Sequence, residues 1–152
     1  GRSIGLNIGL PHEQRPNPYI SKGLSFEFHY FFTRKLWFAH LAQAIVVFPG
    51  GFGTLDELCE VLTLCQTGKI ARRIPILLYG SGYWEEVVNF RALLRHGVIS
   101  QADLDLFQFV ESPAAAIEAL KDQLGRAAEC TTPGFAKTIT ACCEPGAALE
   151  TE

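Results

Sequence analysis

Five consecutive apolar residues, Ala44 to Phe48, run straight into Pro49-Gly50-Gly51-Phe52-Gly53-Thr54. An apolar run without alternation is what a strand buried on both faces requires. The glycine-rich segment then opens a helical pattern, in which Leu55, Leu58, Cys59, Leu62 and Cys65 recur at helical intervals. The spacing predicts a helix from about Leu55 to Thr67, with Gly68 at its C-terminal cap. A buried strand, a glycine turn and a helix in immediate succession belong to a parallel sheet with crossover helices. In such a sheet the turn lies at the carboxyl edge, where ligands bind.

The flanking sequence repeats this alternation. Ser3–Leu10 and Leu24–Phe31 read as strands, separated by a proline-punctuated loop over 11–23. Phe32–Ala42 shifts to helical spacing, with Leu36, Trp37, His40 and Leu41 on one side; the aromatic stretch around Trp37 and Phe38 reads as core, with a partner surface as the alternative. Pro75–Tyr79 reads as a second buried strand and Tyr83–Arg95 as a helix closed by Gly97. Ser100-x-x-Asp103 marks the start of a short helix and Phe107–Val110 a last strand. A last helix over Pro113–Leu124 has Ser112 as its N-cap and proline in its first turn. The fold class expected is α/β, a parallel sheet with flanking helices over 1–124, followed by a flexible tail over 125–152.

Composition narrows the function. The 152 residues fit one domain, and 48% apolar against 19% charged residues excludes wholesale disorder. The net charge of −3 argues against a general nucleic-acid binder. No apolar run approaches the roughly 20 residues needed to cross a bilayer, so no membrane partner is expected. Five cysteines without a CxxC pair signal neither a disulfide framework nor a zinc site. Cys59 and Cys65 read as reduced core residues, which favours a cytoplasmic setting. The histidines His12, His29, His40 and His96 show no metal-binding spacing, and His40 reads as a packed residue. The chain contains no methionine and begins Gly1-Arg2, which reads as a piece cut from a longer protein.

Free backbone amides at a helix start attract an anion, and glycines let the backbone approach it and adopt positive φ. The turn is neither GxGxxG nor the P-loop pattern. Glu57 has two readings: it completes a capping box with Thr54, or it is an active-site carboxylate. A carboxylate beside an anion site needs a nearby cation, and Arg34-Lys35 on the preceding helix could supply it or simply form a solvated charged face. The cluster Lys69, Arg72 and Arg73 follows a helix end, where positive charge complements the dipole; contact with a nucleotide phosphate is the alternative reading.

These residues resemble a family. Pro49 to Glu57, PGGFGTLDE, matches the PGGxGTxxE signature of the LOG ("Lonely Guy") family, also called lysine-decarboxylase-like proteins. Thr33-Arg34-Lys35, about 15 residues upstream, matches the companion RK motif, and Glu57, Thr63 and Gln66 match the run that follows. The resemblance covers about residues 3–124. It implies a Rossmann-like α/β fold and a homodimer. It also implies a phosphoribohydrolase that cleaves the N-glycosidic bond of a nucleoside 5′-monophosphate, AMP or a cytokinin riboside monophosphate, to free base and ribose 5-phosphate. By the same resemblance Arg34 and Glu57 are the catalytic pair. Gly50, Gly51, Phe52, Gly53, Thr54, Leu55 and Asp56 hold the nucleotide. Lys35 and Thr63 are secondary contacts, and Glu13 lies near the base or ribose.

No cofactor and no metal are expected. A pyridoxal phosphate lysine would be needed for a decarboxylase, and Lys35 beside an arginine is better explained by anion binding. The alternative is a non-catalytic nucleotide carrier of the same fold, or an inactive fragment. The GSGxxxG-like and GGGxxGxM segments of the family do not occur in this sequence.

Overall fold

The computed structural model describes residues 1–9, 17–70 and 72–129. Two parallel strands come first, β1 (Gly5–Ile8) and β2 (Ser25–Phe28), paired from Gly5↔Ser25 to Ile8↔Phe28. Helix α1 (Phe31–Leu41) packs on both. Next come β3 (Ile45–Val47), α2 (Phe52–Gln66) and β4 (Ile76–Tyr79). Three helices follow, α3 (Ser81–Val87), α4 (Phe90–Arg95) and α5 (Gln101–Leu104), then β5 (Phe107–Val110) and α6 (Pro113–Glu129). The second sheet has the order β3-β4-β5, all parallel.

Central strand β4 shows why the apolar runs are continuous. Leu77 and Leu78 are neighbours, so their side chains leave opposite faces of the sheet, yet both are fully buried. Leu78 joins Ala39, Leu58, Val61 and Trp84 from α1, α2 and α3. Leu77 joins Val110 and Ala116, with Ala119 and Leu120 of α6 against them. Helices therefore cover both faces of this three-stranded sheet; the α/β class is as expected, while the single parallel sheet expected is divided into two, β1-β2 and β3-β4-β5. Among the described residues no helix is long and apolar enough to cross a membrane.

Several local expectations change. The helix expected over Tyr83–Arg95 is two helices, broken at Val88, which is extended, and restarted by Asn89, whose side chain accepts from the Ala92 N–H at 2.8 Å. Helix α6 runs on to Glu129 rather than stopping at Leu124. Helix α1 turns the opposite way: Leu36, Trp37, His40 and Leu41 are exposed, while Ala39 is buried and Phe38 packs against the core. Both sides of this helix are apolar, and the small Ala39 lets the backbone approach the sheet. Cys59 is exposed, not core, whereas Cys65 is partly buried and burial pushes its thiol pKa up. Arg72 does not serve the helix end it follows. It donates to the carbonyls of His40 at 2.8 Å and Ala42 at 2.6 Å, satisfying the C-terminus of α1.

The short helix expected from Ser100 forms, and a capping box between Ser100 and Asp103 closes its start. Asp103 accepts from the Ser100 N–H at 2.7 Å and from Gln66 of α2 at 2.9 Å, so it ties α5 to α2. The Ser100 backbone bond, followed by Gln66, holds its carboxyl below the ordinary value of 3.8. A lowered folded-state value gives stability that is present above the ordinary carboxylate range and lost as pH falls through the folded value. Asp103→Asn is therefore expected to lower the Tm at pH 7 by roughly 2–4 °C. The difference from the parent should shrink as the pH falls below the ordinary carboxylate range, in thermal melts followed by circular dichroism.

Candidate active site

The site is built where β3 ends. Gly51, not Thr54, is the N-cap of α2, and no side chain caps it. The helix starts three residues earlier than the capping-box reading required, so Thr54 already lies inside it and accepts no capping role. Its backbone N–H, like that of Leu55, bonds to the Gly51 carbonyl at 3.0 and 3.1 Å. The Thr54 side chain lies over Gly50, where a Cβ would collide with it. Gly50 is thus required by close approach. The positive-φ glycines among the described residues are Gly23, Gly68, Gly80 and Gly97, so this turn does not use the left-handed conformation anticipated for it. Around Gly51 and Gly53 the space is open.

With the cap occupied by Gly51, the Glu57 carboxylate is released for another partner. It forms an ion pair with the Arg34 guanidinium of α1. The two side chains are only 17% and 23% exposed, so the pair is shielded from bulk water. The Arg34 Nε is also buried and has no acceptor among the described residues. One turn of α1 supplies a parallel contact. Lys35 lies 2.6 Å from Asp56 and 3.3 Å from Glu60. Its pKa is raised, first by the Asp56 hydrogen bond, with Glu60 adding to it. Two adjacent cations on α1 thus grip three carboxylates on the first turns of α2.

Glu57 and Thr54 line a cavity of about 290 Å³, bounded by Phe48 and Pro49 at the end of β3 and by Phe38 of α1. Phe52 stands at the mouth of the helix, 92% exposed. An aromatic ring held out on a helix start presents a flat apolar face to the solvent. The structure therefore brings together Arg34, Lys35, Gly50, Gly51, Phe52, Gly53, Thr54, Asp56 and Glu57. Leu55 packs against the core instead. Thr63 is exposed farther along α2, its hydroxyl donating to the Cys59 carbonyl at 2.7 Å. Glu13 lies outside the described residues. One participant had no local signal: Tyr83 of α3 donates its hydroxyl to the Gly50 carbonyl.

The family described as "possible lysine decarboxylase" matches residues 1–120. The chain belongs to this family. Its curated relatives carry a different activity in their names. A cytokinin riboside 5′-monophosphate phosphoribohydrolase of Arabidopsis thaliana is 44% identical over 57 residues, covering 38% of this chain and 26% of the relative. The LOG phosphoribohydrolase of Oryza sativa subsp. japonica is 40% identical over 57 residues, 38% of this chain and 23% of the relative. A further Arabidopsis phosphoribohydrolase is 31% identical over 94 residues, 61% of this chain and 44% of the relative. The chain thus spans less than half the length of these relatives.

Proposed function

We propose that this site hydrolyses the N-glycosidic bond of a nucleoside 5′-monophosphate, AMP or a cytokinin riboside monophosphate, releasing the base and ribose 5-phosphate. The observation that carries the reading is the Arg34–Glu57 ion pair at the start of α2, with Glu57 on the wall of the cavity. Glycosidic cleavage passes through an oxocarbenium-like transition state, in which positive charge grows on the sugar. A carboxylate fixed before the charge appears stabilises it without reorganisation and can orient the attacking water. Arg34 holds Glu57 aimed through their ion pair. The uncapped amides of Gly51, Phe52 and Gly53 offer hydrogen bonds to phosphate or ribose oxygens, and the dipole of α2 adds attraction for an anion. Phe52 is positioned to cover one face of the base.

Lys35 contributes differently. Its charge is already met by Asp56 and Glu60, so its main effect is to hold the first turns of α2 against α1. The uncovered apolar face of α1, with Phe32, Leu36, Trp37 and Leu41, fits a second copy of the chain, and a homodimer is part of this proposal. Free thiols at Cys59 and Cys65 and a nucleotide substrate both fit a cytoplasmic setting.

The test is direct. Incubated with AMP, and separately with isopentenyladenosine monophosphate, the chain is expected to release free base and ribose 5-phosphate in equal amounts, read by liquid chromatography. Binding of both nucleotides without any product would replace the hydrolase by a nucleotide carrier.

A further inference from the structure

The carbonyl oxygen of Gly50 accepts a hydrogen bond from the Tyr83 hydroxyl at 2.5 Å. The Gly50 carbonyl and the Gly51 N–H belong to one trans peptide plane, so they point in opposite directions. Fixing the first therefore fixes the second. A Gly–Gly linkage offers little steric resistance to rotation of that plane, so its orientation must be chosen by something outside it. We infer that Tyr83 is a positioning residue for the anion turn: its hydroxyl selects the peptide orientation that presents the Gly51 N–H to the phosphate or ribose oxygens of a sugar phosphate. The inference rests on the reading of this turn as an anion site.

The donor is itself well held. Helix α3 is anchored at its start by the Gly80 N–H to Val110 carbonyl bond at 2.9 Å and by the Ser81 N–H to Glu111 carboxylate bond at 2.9 Å. Neighbouring Trp84 is fully buried, donates its indole N–H to the Tyr79 carbonyl at 3.1 Å, and meets the Tyr83 ring edge-on at 5.1 Å. Tyr83 is not on the cavity wall. Its influence on a ligand therefore passes through the backbone of the turn.

The experiment is calorimetric titration of the full chain with ribose 5-phosphate. Tyr83→Phe is expected to weaken binding about five- to tenfold, the loss of one neutral hydrogen bond, with a Tm close to that of the parent. In the parent chain the Gly51 amide resonance is expected to move on addition of ribose 5-phosphate. Trp84→Phe, which removes a bond from the same helix, is expected to lower the Tm but keep the affinity at a temperature where the protein is folded. Absence of ribose 5-phosphate binding by the parent overturns the anion-site reading and this inference with it. Binding by the parent and equal binding by Tyr83→Phe overturns the inference alone, as does an unmoved Gly51 amide in a chain that binds. Equal weakening by Trp84→Phe would assign the effect to general loosening of α3 and overturn the positioning role.

Discussion

Glu57→Gln is expected to lower the rate of base release from AMP about a thousandfold while leaving nucleotide binding nearly unchanged. Glutamine keeps the shape of the side chain and an oxygen that can still accept from Arg34. What it removes is the negative charge. A unit charge about 4 Å from a developing cation, at an effective dielectric constant of about 20, contributes roughly 4 kcal/mol. That is about three orders of magnitude in rate. The charge is needed only as the sugar becomes cationic, so the loss falls on kcat, not KM. Initial rates of adenine release, with binding followed by calorimetry, separate the two. A variant within a few-fold of the parent would remove Glu57 from the chemistry. Glu57→Ala is a poorer probe, because it leaves the shielded Arg34 charge without its carboxylate and mixes a folding penalty with a catalytic one.

Much of the framework was legible from patterns that admit one solution. The run Phe107–Val110 is strand β5 as read, and Ser100-x-x-Asp103 opens a short helix as read. Gly68 and Gly97 adopt the positive φ that helix ends require. Where two physical solutions satisfy one pattern, the pattern alone does not choose between them. Thr54-x-x-Glu57 meets the capping-box rule, but Gly51 already serves as cap, so Glu57 turns to Arg34 instead. Helix α1 carries apolar residues on both sides, and periodicity does not say which side meets the sheet. The Arg34–Glu57 pairing spans 23 residues: charge reasoning offered Arg34-Lys35 together as the cation, and only the family resemblance singled out Arg34, since a charge on one helix does not announce its partner on another. Tyr83 lies 33 residues from Gly50 and left no trace in local pattern, because a hydrogen bond to a backbone carbonyl asks nothing of the sequence at the acceptor.

Arg34 carries the second large effect. Arg34→Ala is expected to lower kcat/KM about a hundredfold and the Tm by several degrees. The stability loss, on the order of 1–3 kcal/mol, follows from leaving a shielded carboxylate without its cation; the pair is partly rather than wholly buried, which keeps the cost below that of a deep core pair. Arg34→Lys separates charge from shape. An ammonium keeps the positive charge but offers a point contact in place of a planar fork, so Glu57 is held at one atom and its aim loosens. We expect this variant to recover most of the Tm and only about a tenfold share of the activity. Millimolar guanidinium added to Arg34→Ala should restore part of the rate, because the small ion can re-form the missing pair from solution. A purely structural arginine predicts the opposite pattern: activity would track the folded fraction, Arg34→Lys would match the parent once its Tm was recovered, and guanidinium would do nothing but denature. Rates measured well below both melting transitions decide between the two. Full activity in folded Arg34→Ala would dismantle the pair as the catalytic unit, even with Glu57 still required, since the carboxylate would then be oriented by α2 alone.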